Sequence, residues 1–122
     1  MTARVLIVDD SSLARRSSRR VLEGVGYEVA EAEDGMSALE QYFVHKPDIV
    51  ILDLVMKGMY GLDVLARLRE LDPEVRVIVV SADIQDSSRE LVERGGGVGF
   101  LTKPVQPESL LAAVRAALQE QG

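Results

Sequence analysis

Short apolar runs alternate with amphipathic stretches along the whole chain of 122 residues. The apolar runs lie at 5–8, 29–32, 49–54, 75–80 and 98–101, and most are rich in β-branched side chains, as buried strands are. In the stretches that follow each run, apolar residues recur at spacings of three, four or seven, which is the period of a helix with one buried face. The pattern therefore predicts five strands alternating with five helices.

Residues that begin and end helices agree with these positions. Ser11 or Ser12 can cap the first helix, Gly24 can end it, Gly95 can end the fourth, and Pro107 suits the first turn of the last. We find no internal repeat, linker or low-complexity tract in the sequence. The chain is therefore expected to form a single domain.

Strict alternation of strand and helix predicts a parallel sheet with helices on both faces, because each right-handed crossover must cover one side. The predicted fold class is α/β, doubly wound, over residues 1–122. The first and third predicted strands are the most continuously apolar, so we place both in the middle of the sheet. Ligands of such sheets bind beyond the carboxyl ends of the strands.

Composition narrows the classes of function. The net charge of −6 and the pI near 4.8 argue against direct binding of nucleic acid or of a membrane surface, since both need basic residues. The absence of cysteine excludes a disulfide framework and a thiolate zinc site. The sequence shows neither a signal peptide nor an apolar stretch long enough to span a membrane. We expect a cytoplasmic protein.

Polar side chains follow the apolar runs at one edge of the predicted sheet. Asp9 and Asp10 follow the first run, Asp53 lies at the end of the third, Ser81 ends the fourth and Lys103 follows the fifth. Two carboxylates about 4 Å apart repel by about 4 kcal/mol at an effective dielectric constant of 20, so three together require a cation. An oxygen-only cluster without histidine or cysteine suits a hard divalent ion, and Mg²⁺ fits best.

Each of these residues also has an ordinary structural interpretation. Asp10 alone can be a helix cap, Ser81 alone a hydroxyl at a strand end, and Lys103 alone a solvated lysine whose stem packs on the sheet. This interpretation is weaker for Asp53, because serine, asparagine or glycine would end a strand without adding a charge. The prediction of a site therefore depends on the whole set.

Four segments closely resemble the receiver domain of two-component response regulators. They are VLIVDDS at 5–11, DIVILDLVMKGMYG at 48–61, VIVVSA at 77–82 and GFLTKP at 99–104. The resemblance covers the chain in order and implies a five-stranded sheet with the flavodoxin-like strand order 2-1-3-4-5. Because no DNA-binding or catalytic segment follows the last predicted helix in this sequence, it is similar to stand-alone receivers such as chemotaxis regulators. A receiver cut from a longer protein would have the same sequence.

The resemblance also implies roles for the matching residues. Asp53 would accept a phosphoryl group from a sensor histidine kinase, a histidine phosphotransfer protein or a small acyl phosphate, with slow autodephosphorylation afterwards. Lys103 and Ser81 would supply an ammonium and a hydroxyl to the phosphoryl oxygens, and Pro104 would follow a cis peptide bond. Mg²⁺ would be held by four groups: Asp9, Asp10, Asp53 and the backbone carbonyl of Val55.

The same resemblance implies a conformational switch. Phe100 occupies the aromatic switch position of the family, and Ser81 would move toward the phosphoryl group and vacate space for the ring. This would change the face formed by the fourth helix, fifth strand and fifth helix, which would then regulate a downstream protein. Plain core packing is the ordinary interpretation of Phe100.

Two other functions remain open from the sequence. One is a Mg²⁺-dependent phosphatase with Asp53 as nucleophile, although the haloacid dehalogenase type has a second acid where this chain has Val55. The other is a receiver-like scaffold that never accepts phosphate, which would be expected to lack one of the acids or the lysine.

The sequence departs from the receiver pattern at Lys57, where the family usually has proline. A positive φ is expected at Gly58 or Gly61, in the same loop. The first helix carries four arginines, which usually form a solvated face and are less often a docking surface for a kinase: Arg15, Arg16, Arg19 and Arg20.

Overall fold

The structure is a computed structural model that describes residues 2–56, 60–82 and 97–119. Its elements, in chain order, are β1 (Arg4–Val8), α1 (Ser12–Glu23), β2 (Glu28–Ala32), α2 (Gly35–His45), β3 (Ile49–Asp53), α3 (Gly61–Leu71), β4 (Val77–Ser81), β5 (Gly99–Thr102) and α4 (Pro107–Gln119). The last of these, α4, is the fifth helix predicted from the sequence. The fourth predicted helix and its cap at Gly95 lie outside the described residues. Within the described ranges, no helix has both the length and the apolar character needed to cross a membrane.

The five strands form one parallel sheet in the order β2-β1-β3-β4-β5. The predicted α/β fold class and strand order are therefore confirmed, and β1 and β3 lie inside the sheet as predicted. The strand β3 lies within its predicted run at 49–54, and β5 is shifted by one residue from its predicted run at 98–101. The strand β4 starts at Val77, two residues later than its apolar run.

Side chains alternate between the two faces of the sheet, and each face has its own core. One core lies under α2 and α3 and includes Leu6, Val8, Val50, Leu52, Val77, Val79, Leu65 and Leu68. The other lies under α1 and α4 and includes Val5, Ile7, Ile49, Ile51, Ile78, Val80, Leu101, Leu110 and Val114. The odd-numbered residues of β1, β3 and β5 thus point toward α1 and α4.

The predicted boundaries of the first and last helices are found in the structure. The Ser11 hydroxyl accepts a hydrogen bond from the amide of Ala14 at 3.2 Å and caps α1, which ends at Gly24. Pro107 is the first residue of α4. A helix start leaves backbone amides without intrahelical partners. The Ser11 hydroxyl pairs with one of them, and Pro107 has no amide hydrogen that needs a partner.

Gly61, the first residue of α3, packs directly against the end of β3. A Cβ atom at this position would lie 2.5 Å from the Cα of Leu54 and 2.8 Å from the carbonyl oxygens of Asp53 and Leu54. The Gly61 amide donates to the Leu54 carbonyl at 2.9 Å. The glycine is therefore needed for close approach and not for a positive φ, which it does not have. The alternative, Gly58, lies outside the described residues.

We expect Gly61→Ala to lower the free energy of unfolding by about 2 kcal/mol or more, because backbone atoms must move to admit the methyl group. Urea denaturation measures this quantity. Gly99→Ala is the matched control, since its Cβ atom would meet only the Ile78 side chain, at 3.4 Å. If the two variants are equally stable, the backbone between β3 and α3 can move to admit the methyl group at little cost in free energy.

Candidate functional site

Three charged side chains meet at the carboxyl edge of the sheet. Asp9, Asp53 and Lys103 are the next odd-numbered residues after β1, within β3 and after β5, so alternation points all three toward the α1 and α4 face. The Lys103 Nζ atom lies 3.0 Å from Asp53 Oδ2 and 3.3 Å from Asp9 Oδ2. One ammonium group therefore bridges two carboxylates from different strands.

Asp10 completes an acidic cluster with these two aspartates. One carboxylate oxygen from each of Asp9, Asp10 and Asp53 lies within 4.8 Å of the others. Asp9 is 6% exposed and Asp53 4% exposed, whereas Asp10 is open to solvent. Lys103 offsets part of the negative charge of this cluster. A donor set of carboxylate oxygens fits a hard divalent cation such as Mg²⁺.

Backbone amides orient both buried carboxylates. The amide of Ser11 donates to Asp9 Oδ1 at 2.9 Å, and the amide of Val55 donates to Asp53 Oδ1 at 3.2 Å. Each carboxylate is therefore held on one oxygen by an amide and on the other by Lys103. Val55 contacts the site through this amide, and the role of its carbonyl as a metal ligand stays a prediction.

Burial and neighbouring charges shift the pKa values of Asp53 and Lys103. Burial, with a further contribution from the negative charge of Asp9, raises the pKa of the Asp53 carboxyl, although the hydrogen bond from Lys103 opposes this. Burial lowers the pKa of Lys103, but the hydrogen bonds and charges of Asp53 and Asp9 outweigh it and raise that pKa overall. Both directions are those expected of an acidic site that a bound cation would stabilise.

Ser81 and Phe100 lie on the other face of the same edge. Ser81 ends β4, points to the same face as Val77 and Val79, and is 1% exposed. Its carbonyl accepts a hydrogen bond from the Lys103 amide at 3.0 Å. Phe100 is half-buried and packs against the core under α2 and α3. Ser81 and Phe100 therefore share a face, which is the arrangement that the predicted switch requires, and their roles stay predictions.

Two further predictions concern the peptide bond before Pro104 and the residue Lys57. The peptide bond between Lys103 and Pro104 is cis, as the resemblance implied. Lys57 lies outside the described residues. A cleft of about 590 Å³ between α1 and α4 is lined in part by Asp9, Asp53 and Lys103.

The arginines of α1 do not form one solvated face, which corrects the expectation from the sequence. Arg16 and Arg20 are exposed, but Arg15 is turned toward the sheet and its side chain is only 14% exposed. The reason is the acidic side chain of Glu31 on the edge strand β2, which accepts from Arg15 Nε at 3.0 Å and from Arg19 Nη1 at 2.6 Å. A sequence signal existed in the spacing of Arg15 and Arg19, which puts both on one side of a helix.

Stability is expected to depend on pH through Glu31. The hydrogen bond from Arg19, and less strongly the one from Arg15, outweigh burial and lower the pKa of Glu31 below 4.5. A lowered folded-state pKa gives stability that is present above the unfolded pKa and lost as the pH falls through the folded one. At pH 7 we expect Glu31→Gln to cost roughly 0.5 to 1 kcal/mol of unfolding free energy.

The cost of Glu31→Gln should be smaller at about pH 3 than at pH 7, because the stability from the Glu31 charge is lost as the pH falls from the unfolded-state pKa through the lowered folded-state pKa. Urea titrations of both proteins at the two pH values measure this difference. Glu33→Gln is the control, because it makes the same chemical change at an exposed position two residues further along the chain. A cost of Glu31→Gln that is the same at both pH values would show that charge on Glu31 contributes nothing.

Comparison with known proteins agrees with this geometry. The sequence model of the response regulator receiver domain matches residues 5–115. The chemotaxis protein CheY of Thermotoga maritima is 38% identical over 115 residues, which cover 93% of this chain and 96% of that protein. The residues matched to the family model include Asp9, Asp10, Asp53 and Lys103.

Solved structures resemble the whole described fold. A CheY-like receiver domain protein from Methanospirillum hungatei superposes with a TM-score of 0.93 at 27% identity, covering 99% of this chain and 97% of that one. CheY of Borrelia burgdorferi, solved in a complex with CheX, BeF₃ and Mg²⁺, has a TM-score of 0.91 at 30% identity, covering 95% and 89%. This chain belongs to the response regulator receiver domain family, whose members are signalling switches of two-component systems.

Proposed function

We propose that this receiver is a phosphoacceptor switch that acts in the cytoplasm and takes its phosphoryl group on Asp53. The donor is the phosphohistidine of a sensor kinase or of a phosphotransfer protein, or a small acyl phosphate. One observation carries the proposal: the Lys103 ammonium lies within 3.3 Å of two buried carboxylates, one of which is Asp53. Such a pocket has a nucleophile and a fixed positive charge side by side.

The proposed reaction is an in-line transfer. An Asp53 carboxylate oxygen attacks phosphorus, and the new O–P bond forms as the P–N bond to the donor imidazole breaks. The bonding electron pair stays on the imidazole nitrogen, which takes up a proton. Negative charge spreads over the equatorial phosphoryl oxygens during transfer, and Lys103 and the Ser81 hydroxyl are the groups that stabilise it.

The acidic cluster is the proposed holder of Mg²⁺. Asp9, Asp10 and Asp53 would bind the ion, with the carbonyl of Val55 as a further ligand. A bound Mg²⁺ would supply the positive charge that the three carboxylates and an incoming phosphoryl group need. Two facts support this assignment: the oxygens lie within 4.8 Å of one another, and a relative was solved with Mg²⁺.

Phosphorylation is proposed to shift the equilibrium between two conformations. It adds charge and acceptor oxygens beside Ser81, whose movement toward them would leave space behind it. Phe100 lies on the same face as Ser81 and would turn into that space, changing the surface of β5 and α4. The phosphoryl group needs only to favour one pre-existing state.

The proposed partners are proteins. A sensor kinase or phosphotransfer protein delivers the phosphoryl group, and a downstream protein binds the altered surface, whereas we expect no direct contact with nucleic acid or membrane. The complex of CheX with CheY from Borrelia burgdorferi supports a protein partner. The net charge of −6 agrees with the exclusion of nucleic acid.

Amide NMR spectra recorded before and after addition of Mg²⁺ and acetyl phosphate test the switch. We expect resonance changes around Asp53 and also at Phe100 and along α4. Phe100→Ala should still be phosphorylated, as seen by intact mass, but with smaller changes along α4. Changes confined to the acid pocket in the wild-type protein would mean an acceptor without a switch.

A further inference from the structure

We propose that Arg15 is a positioning residue that holds the backbone between Asp9 and Asp10, so that both carboxylates face the metal site. This inference rests on the function proposed above. The guanidinium Nη1 atom of Arg15 donates to the carbonyl oxygen of Asp9 at 2.7 Å. That carbonyl belongs to the peptide group that joins the two aspartates.

Asp9 is held at every polar atom. Its amide donates to the carbonyl of Ala32 in β2 at 3.1 Å, and its carbonyl accepts from Arg15. Its Oδ1 atom accepts from the Ser11 amide at 2.9 Å, and its Oδ2 atom lies 3.3 Å from the Lys103 ammonium. The Arg15 contact is the one that fixes the peptide group leading to the next acid.

Because the peptide group between Asp9 and Asp10 is planar, the Arg15 hydrogen bond also orients Asp10. The Asp9 carbonyl and the Asp10 amide share one rigid plane, so fixing the oxygen also fixes the direction in which the chain enters Asp10. Asp10 is exposed and its carboxylate lies in the same cluster as those of Asp9 and Asp53. Arg15 therefore acts on an exposed ligand through the backbone of a buried one.

Glu31 holds the other side of the guanidinium. It accepts from Arg15 Nε at 3.0 Å, and its second oxygen accepts from Arg19 Nη1 at 2.6 Å. Arg19 Nε in turn lies 3.2 Å from Glu23. The planar guanidinium can donate in two directions at once, which a lysine ammonium on a flexible stem reproduces poorly. The network thus ties the acid pair to β2 and to the second turn of α1.

Positioning and simple charge predict opposite results. Arg15 is a cation close to an acidic site, so if it acted by charge alone its removal would tighten the binding of Mg²⁺. If it acts by holding the Asp9 carbonyl, its removal weakens Mg²⁺ binding. Loss of groups that orient metal ligands typically weakens metal binding about 10- to 100-fold.

The test is calorimetric titration of the full chain with MgCl₂. We expect Arg15→Met to weaken Mg²⁺ binding roughly tenfold. Arg16→Met is the matched control, because it removes the same charge from the next, exposed position and should not weaken binding. Arg15→Lys preserves both charge and fold and should fall between the wild type and Arg15→Met, so any weakening in it comes from geometry.

A second measurement reads the backbone directly. The ¹³C resonance of the Asp9 carbonyl, recorded without metal, should shift in Arg15→Met and not in Arg16→Met. Mg²⁺ binding in Arg15→Met and Arg15→Lys that is as tight as in the wild type, or tighter, overturns the inference while leaving the proposed function intact. A wild-type protein that binds no Mg²⁺ overturns both.

Discussion

Replacing Asp53 by asparagine is expected to abolish phosphorylation by acetyl phosphate and Mg²⁺. The amide is a far weaker nucleophile than the carboxylate, and it removes one of the three acidic groups of the cluster. The wild-type protein should gain the mass of one phosphoryl group in the intact-mass spectrum, and Asp53→Asn should gain none. The variant should stay folded, because asparagine preserves the shape of the buried side chain.

Asp63→Asn is the control for this experiment. Asp63 is an exposed aspartate in the first turn of α3, outside the acidic cluster, and its replacement makes the same chemical change. It should be phosphorylated like the wild type. A phosphoryl group on Asp53→Asn would place the acceptor elsewhere in the chain.

Lys103→Met is expected to change two properties in opposite directions. The rate of phosphorylation by acetyl phosphate should fall by about 10²- to 10³-fold, because a preorganised donor to the phosphoryl oxygens is lost. Mg²⁺ should bind more tightly, by roughly tenfold, because the ammonium that competes for the same carboxylates is gone. Mass spectrometry over time and calorimetric titration measure the two effects.

Lys46→Met separates these effects from a general change in net charge. Lys46 is exposed at the end of α2, before β3 begins, so its replacement removes the same charge at the opposite edge of the sheet from the acid cluster. Neither the phosphorylation rate nor Mg²⁺ binding should change much in this variant. A loss of Mg²⁺ binding in Lys103→Met would mean that the lysine supports the metal site and not the transfer.

The position of the acid site was predictable because the strands of an alternating β/α chain are parallel. Once 5–8, 49–54 and 98–101 are taken as parallel strands, the polar residues at their carboxyl ends must lie at one edge. The structure adds that Asp9, Asp53 and Lys103 continue the same face of the sheet, which requires the exact strand limits. Ser81 falls on the opposite face for the same reason, since its neighbour Val80 faces α1 and α4.

Contacts that depend on distances between elements were not predictable. Arg15 looked like part of a solvated face because nothing in α1 itself reveals that Glu31, on the neighbouring edge strand, lies within reach. Gly61 was one of two positions at which a positive φ was expected, and the structure shows at Gly61 a close approach to Leu54 instead. In both cases the cause is a neighbour outside the helix, which the periodicity of the helix does not record.

The most direct test of the acid pocket is the identity of the residue that carries the phosphoryl group. Borohydride reduces an aspartyl phosphate to homoserine, so peptide mapping of the reduced, phosphorylated protein locates it. We predict homoserine at position 53, formed only when Mg²⁺ is present. Homoserine at position 9 or 10, or equal labelling without Mg²⁺, would contradict a metal-dependent acceptor at Asp53.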